Sequence, residues 1–362
     1  MWIFEGERKT RTRQGGNRNV LPLPLFVAGF LLAAFALLPS ASASPARGLY
    51  EVREIKRGVY VLFPEDVVDT DGDPQFNRRT NAGFIVTPEG AAVVDTMNTP
   101  FRARDLLYEI RRLTDQPVRY VIDTDAHADV FLGNEVFVAE KSAIIATIPA
   151  AAEMRDYSID LARRLLQDEN WRLQTRMRGI HPTPPTQTLD AELHLQLGDE
   201  QIRIVPLSGG HSEGDAVVFL PLLKIVFLGH LFENGFFPRI GSSDVHRWIE
   251  ILKELEAWDA EVYIPAHGPA GGKKELADFR QFLEWLWNEV ATRAAEGKTA
   301  SDLKREMKLT EIYRWSARDL APRAIEEVYQ QVLRERPVTP ASADPADQGT
   351  ITQPTASSHQ AP

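Results

Sequence analysis

The feature that most restricts the fold is a succession of short, β-branched apolar runs in two groups, each closed by segments of helical periodicity. In the first group, strands are predicted over 58–63, 82–87 and 91–95, the last two joined by the turn Pro88-Glu89-Gly90. A helix follows over 102–113, where Leu106, Leu107, Ile110 and Leu113 recur at helical spacing, then a strand over 118–122. Another helix is expected to start near Leu132, a strand to cover 143–147, and a helical stretch to run from Ala150 into the Pro-rich loop 181–185. The second group places strands over 193–197, 202–207, 216–220 and 225–228, a helix over 245–258 and a short strand over 262–264. A helix with the stripe Leu276, Phe279, Leu283, Leu286 and Val290 comes next, and two more, 301–307 and 324–333, close the pattern. A sheet must bury at least one face, so two strand-rich halves with helices at their ends predict two sheets packed together with helices outside.

Composition narrows what such a fold can do. The chain has 362 residues, a length that suits two average domains or one large α/β unit. A net charge of −10 opposes nucleic-acid binding, which needs a basic surface. Cysteine is absent, so disulfides and thiolate metal sites are excluded and any metal must use His and carboxylate ligands. The segment 1–43 has the order of a signal peptide: basic residues up to Arg18, an apolar run from Leu21 to Leu38, then the small-residue pattern Ala41-Ser42-Ala43. Export to the periplasm or beyond is therefore expected, with membrane contact only if that segment stays uncleaved. The stretch 336–362 is rich in Pro, Ala, Ser, Thr and Gln and holds almost no large apolar residues, the composition of a disordered tail. The acidic loop around Asp69, Asp71 and Asp73 lacks calcium-loop spacing and reads as a solvated connection.

Of eight histidines, four stand at or just after the end of a predicted strand: His127, His211, His230 and His267. Asp125 and Asp129 flank His127 at spacings of two, which turns them to one side of an extended loop. Strand-end loops are where layered α/β proteins place their chemistry. Four imidazoles and two carboxylates in that placement point to a divalent metal, zinc or ferrous iron. His181 among prolines, His194 in a strand, His246 on a helix and His359 in the tail read as surface or packing residues.

The runs Asn81-Ala-Gly-Phe-Ile-Val, Ala92-Val-Val-Asp95, Thr124-Asp-Ala-His-Ala-Asp129, His211-Ser-Glu-Gly-Asp215, Phe227-Leu-Gly-His230 and Pro265-Ala-His-Gly-Pro269 resemble the metallo-β-lactamase superfamily, in its order. The resemblance implies a four-layer αββα sandwich over 50–296, with helices over 297–335 packed against it. Val130-Phe-Leu-Gly-Asn134 and the stretch 238–258 are similar to the quinoprotein-relay zinc metallohydrolases of bacterial periplasms. The family's first motif reads Thr-His-x-His-x-Asp-His; here Asp125 replaces its first His, Val130 its last, and His230 stands where a bridging aspartate is usual.

The resemblance therefore implies a first metal among Asp125, His127 and His211, with His230 beside them, and leaves Asp129 and His267 for a second. Val130 offers no donor, and a neutral imidazole cannot bridge two ions as a carboxylate does, so one ion is expected. It also implies a hydrolase of an ester, thioester, lactone or amide bond in a small molecule, with Asp129 orienting water and His267 acting as acid or oxyanion support. The alternatives are a metal-free binding or accessory scaffold and oxygen chemistry at a single iron. Phe232, Phe236 and Phe237 are candidates for a hydrophobic pocket wall, and the insertion 150–179 and loop 67–77 for an overhang.

Overall fold

The computed structural model describes residues 50–64, 79–167 and 177–335. The signal-like segment, the acidic loop around Asp71 and the C-terminal stretch beyond Glu335 lie outside these residues.

The first sheet begins with β1 (Tyr50–Lys56), β2 (Val59–Pro64), β3 (Ala82–Thr87) and β4 (Gly90–Val94), an antiparallel meander. Helix α1 (Pro100–Leu113) then carries the chain back to β5 (Val118–Ile122), which lies parallel to β4. Thr99 caps α1 by accepting from the Arg102 amide, and proline holds its first position, where no amide is needed. Two short helices follow, α2 (Ala128–Phe131) and α3 (Asn134–Ala139), split by Gly133 where one helix near Leu132 is expected. A Cβ on Gly133 would lie 2.0 Å from the Thr96 carbonyl, so this close approach requires glycine. Parallel strands β6 (Ala143–Thr147) and β7 (Gln187–Leu189) complete a seven-stranded sheet in the order β1-β2-β3-β4-β5-β6-β7, with α4 (Ile148–Leu165) between them.

The second sheet takes β8 (Leu193–Leu197), β9 (Glu200–Pro206), β10 (Ala216–Leu220), β11 (Ile225–Glu233) and β12 (Val262–His267), in the order β12-β11-β10-β9-β8. Its strands are antiparallel except β11 and β12, which are joined through α5 (Val245–Glu256) and run parallel. Helices α6 (Lys273–Ala295), α7 (Ala300–Met307), α8 (Leu309–Ile312) and α9 (Ala321–Glu335) finish the described chain.

Three apolar layers follow from the side chains' alternation along the strands. Val59, Val61, Ile85, Ala92 and Val94 of the first sheet meet Ile202, Ile204, Val218, Ile225 and Phe227 of the second. The other face of the first sheet packs Phe84, Val93 and Val121 on Leu106 and Ile110 of α1 and Phe137 of α3. Trp248, Phe279, Leu286, Leu303, Ile325 and Val328 cover the outer face of the second sheet. The result is the αββα sandwich expected from the strand and helix pattern. Strand β11 is longer than sequence periodicity suggests: it continues from Ile225 through Gly229 and His230 to Glu233, and all nine residues are buried. His230 is thus an interior strand residue, not the start of a loop.

Candidate metal centre

The site forms where the two sheets are stitched together at one end. Asn81 at the start of β3 donates its amide to Ala266 O at 2.7 Å and its side chain to Pro265 O and Gly268 O, both at 2.9 Å. The Ala216 amide donates to Thr124 O at 2.8 Å, tying the loop after β5 to β10. In the loop between β9 and β10, Asp215 accepts from the Ser212 amide at 2.9 Å and its hydroxyl at 2.6 Å, which folds the chain tightly beside His211. These bonds fix three strand-end segments against one another before any side chain of the site is considered.

Asp125, His127, His211 and His230 form one group of potential metal donors, and Asp129, His230 and His267 form a second. All six candidate residues therefore meet, and His230 belongs to both groups. Its Nδ1 donates to Asp125 Oδ2 at 2.6 Å, while its Nε2 lies 3.6 Å from Asp129 Oδ2. The sequence reading places His230 beside the first group only; the two nitrogens of one ring on an interior strand explain the sharing. His127 caps α2, so Asp129 sits in the first turn of that helix, its main-chain carbonyl accepting from Thr80 Oγ1 at 2.5 Å. His267 Nδ1 donates to Glu233, 2.9 and 3.1 Å from its two oxygens, and its Nε2 lies 3.5 Å from Asp129 Oδ2.

Three buried imidazole nitrogens here make no hydrogen bond: His127 Nδ1, His211 Nδ1 and His267 Nε2. His127 Nδ1 is 3.2 Å and His211 Nδ1 3.9 Å from Asp125 oxygens. Buried polar atoms are rarely left without partners unless something else, such as an ion, is to satisfy them. Burial alone would raise Asp125, yet the His230 and His127 imidazoles beside it outweigh that and hold it well below the usual carboxylate range. Asp129 is likewise buried, and His230 and His267 hold it ionised. Desolvation would lower His230, but the carboxylates of Asp125 and Asp129 on either side raise it well above an ordinary imidazole. His211, buried and facing His127 and His230, is pushed down.

A cavity of about 260 Å³ opens onto both groups. His127, Asp129, His211, His230 and His267 form its polar floor, and Glu153 and Tyr157 of α4 overhang it, as expected for the inserted helix. Phe236, Phe237 and Leu320 give it an apolar wall with Arg239 nearby. Phe232 does not line it: this residue is wholly buried against Phe279 in the core beneath. His181 and His194 are exposed, and His246 pairs with Glu335 at 3.3 Å on the surface. Glu233 escaped the sequence reading because an isolated Glu in an apolar run carries no motif; its only signal was a charge at a position reading as core.

The family model for the metallo-beta-lactamase superfamily matches residues 77–267. The chain belongs to this superfamily. Among solved structures it is similar to a metallo-β-lactamase from Pontibacter korlensis, with 21% identity, a TM-score of 0.52 and coverage of 65% of this chain and 99% of the other. It also resembles FIM-1 from Pseudomonas aeruginosa in a mono-zinc form, with 20% identity, a TM-score of 0.50 and coverage of 65% and 95%. At these identities the likeness establishes the fold. A linear primary-alkylsulfatase from a Pseudomonas species is 22% identical over 266 residues, spanning 62% of this chain and 49% of that protein. The chain therefore spans about half the length of this curated relative.

Asp125, at the place of the motif's first His, is enclosed, with 1% of its side chain accessible. Val130 is fully buried among Phe131, Ala146 and Met154. The position is filled by apolar packing and offers no donor atom. The superfamily characteristically binds metal, and the donor set, all oxygen and imidazole with three nitrogens unsatisfied, suits a divalent ion such as zinc or ferrous iron.

Proposed function

We propose that this chain is an exported, metal-dependent hydrolase that cleaves an ester, thioester, lactone or amide bond of a small molecule. The observation that carries this reading is the set of three unsatisfied buried imidazole nitrogens converging with ionised Asp129 on the floor of one cavity, with ionised Asp125 enclosed beside them. Asp125, His127 and His211 would hold the ion, with His230 beside them. Because a neutral ring has one lone pair, the sharing of His230 favours a single tightly held ion over two. Such an ion, when bound, supplies Lewis acidity and brings a water toward neutral pKa.

The chain's own groups do the rest. Asp129, held ionised between His230 and His267, orients an attacking water and accepts its proton. His267 Nε2 lies 3.5 Å from the same Asp129 oxygen. The apolar wall supports a substrate with a hydrophobic body, and similarity to an alkylsulfatase adds sulfate esters to the bonds worth testing. A second reading is favoured by the Asp129, His230 and His267 group, two imidazoles and one carboxylate, which is the donor pattern of non-haem iron sites.

Elemental analysis of purified protein after dialysis against a weak chelator separates these readings. About one equivalent of zinc, lost in His127→Ala and His211→Ala, with zinc-dependent turnover of an acyl or sulfate ester panel, is the expected result. One equivalent of iron would favour the second reading. Background metal, together with thermal stability indifferent to zinc, manganese and ferrous iron, would leave a metal-free scaffold. For export, the mature chain is expected to begin near Ser44 in the envelope fraction; N-terminal sequencing that finds Leu21–Leu38 retained overturns cleavage.

A further inference from the structure

Glu233 is a buried carboxylate with 4% of its surface accessible, at the last position of β11. Strand β12 lies parallel beside it, and the register sets Glu233 opposite His267, the last residue of that strand. The Asn234 amide donates to His267 O at 3.0 Å, which holds the two strand ends together. The carboxylate can only accept, so His267 must present Nδ1–H to it, at 2.9 and 3.1 Å from the two oxygens. That leaves Nε2 turned toward Asp129 and the cavity with no hydrogen-bond partner. An unpaired carboxylate at such depth would be unfavourable for the fold, and His267 is the side chain within hydrogen-bond reach of it.

From this geometry we infer that Glu233 is the positioning residue of the site: it fixes His267 in the tautomer that carries its proton on Nδ1. Nε2 is thereby kept as a lone-pair acceptor. In the neutral ring Nε2 can accept a hydrogen bond from the water whose proton Asp129 takes, or donate its lone pair to an ion. His230 is likewise oriented by a carboxylate behind Nδ1, Asp125, with its Nε2 3.6 Å from Asp129. Carboxylates behind imidazoles set ring orientation in this way at many metal sites.

The consequence for rate rests on the hydrolase reading; the tautomer does not. Nitrogen-15 NMR of histidine-labelled, metal-free protein in alkaline buffer reads the tautomer directly. The wild type is expected to show His267, assigned by its loss in His267→Ala, with a protonated Nδ1 and a bare Nε2. In Glu233→Gln, which keeps the shape but can donate as well as accept, a substantial fraction of the ring should carry its proton on Nε2. With active enzyme, the same variant should lose roughly 10- to 100-fold in kcat with KM little changed. A wild-type ring protonated on Nε2, or a Gln variant with unaltered imidazole signals, overturns the inference. The wild-type spectrum alone decides it should the variant fail to fold. Absence of metal and turnover in the wild type would remove the hydrolase reading and leave the NMR result standing.

Discussion

Asp95 ends β4 in the left-handed region, at φ 63°, and buries its carboxylate against Thr124. It accepts from the Thr124 amide at 2.9 Å and the Thr124 hydroxyl at 3.0 Å, so it sets the start of the ligand loop without reaching the cavity. Burial pushes its pKa up to about 8, more than those two bonds lower it. The folded chain thus keeps a proton that the unfolded chain has released. The resulting stability is full below the ordinary carboxylate pKa and is lost as pH rises from about 4 to about 8. Asp95→Asn, close in shape and never charged, should remove that slope. Its melting temperature relative to wild type should be higher at about pH 9 than at about pH 5, by roughly 5 °C or more. Parallel melting curves across that range would refute the assignment.

At the scale of elements, the sandwich depends on how closely β3 and β11 approach. Gly83 of β3 faces the Phe227 ring of β11, and a Cβ on it would lie 2.1 Å from the ring edge. The ring occupies the space that a side chain at position 83 would take. Gly83→Ala should cost about 1–3 kcal/mol through overpacking, seen as a lower melting temperature. Adding Phe227→Leu, which vacates the ring edge, should recover part of the loss; a double variant no better than the sum of the singles would show that the two do not share this space. Elements with unbroken apolar runs, such as β4 and β10, were legible because both faces of those strands are buried. Strand β1 was not, because its alternating charged residues lie at the sheet edge, and β7 was not, because its three residues carry little pattern. Strand β11 was read too short, since Gly229 and His230 look like a break until packing buries both.

For the whole molecule, the closing helices belong to the core. Ala324, Ile325, Val328 and Val332 of α9 pack with Leu303 of α7 and Leu286 of α6 over the second sheet. Stopping the chain at Glu335 should change stability by less than about 0.5 kcal/mol, because 336–362 has no periodic apolar face. Stopping before Ala321 should abolish cooperative melting, because it strips that cover from a buried layer. Equal melting temperatures for the two truncations would contradict this packing. What the sequence determined alone was local: strand and helix period, the absence of thiol ligands, and the gathering of His and Asp residues near strand ends. Tertiary structure decided which atoms face which. His230 and Asp125 are 105 positions apart, and His267 and Glu233 are 34 apart, so their pairing exists only after the sheets stack and β11 lies beside β12. A donor's identity is written in one residue, whereas its direction depends on every layer packed behind it.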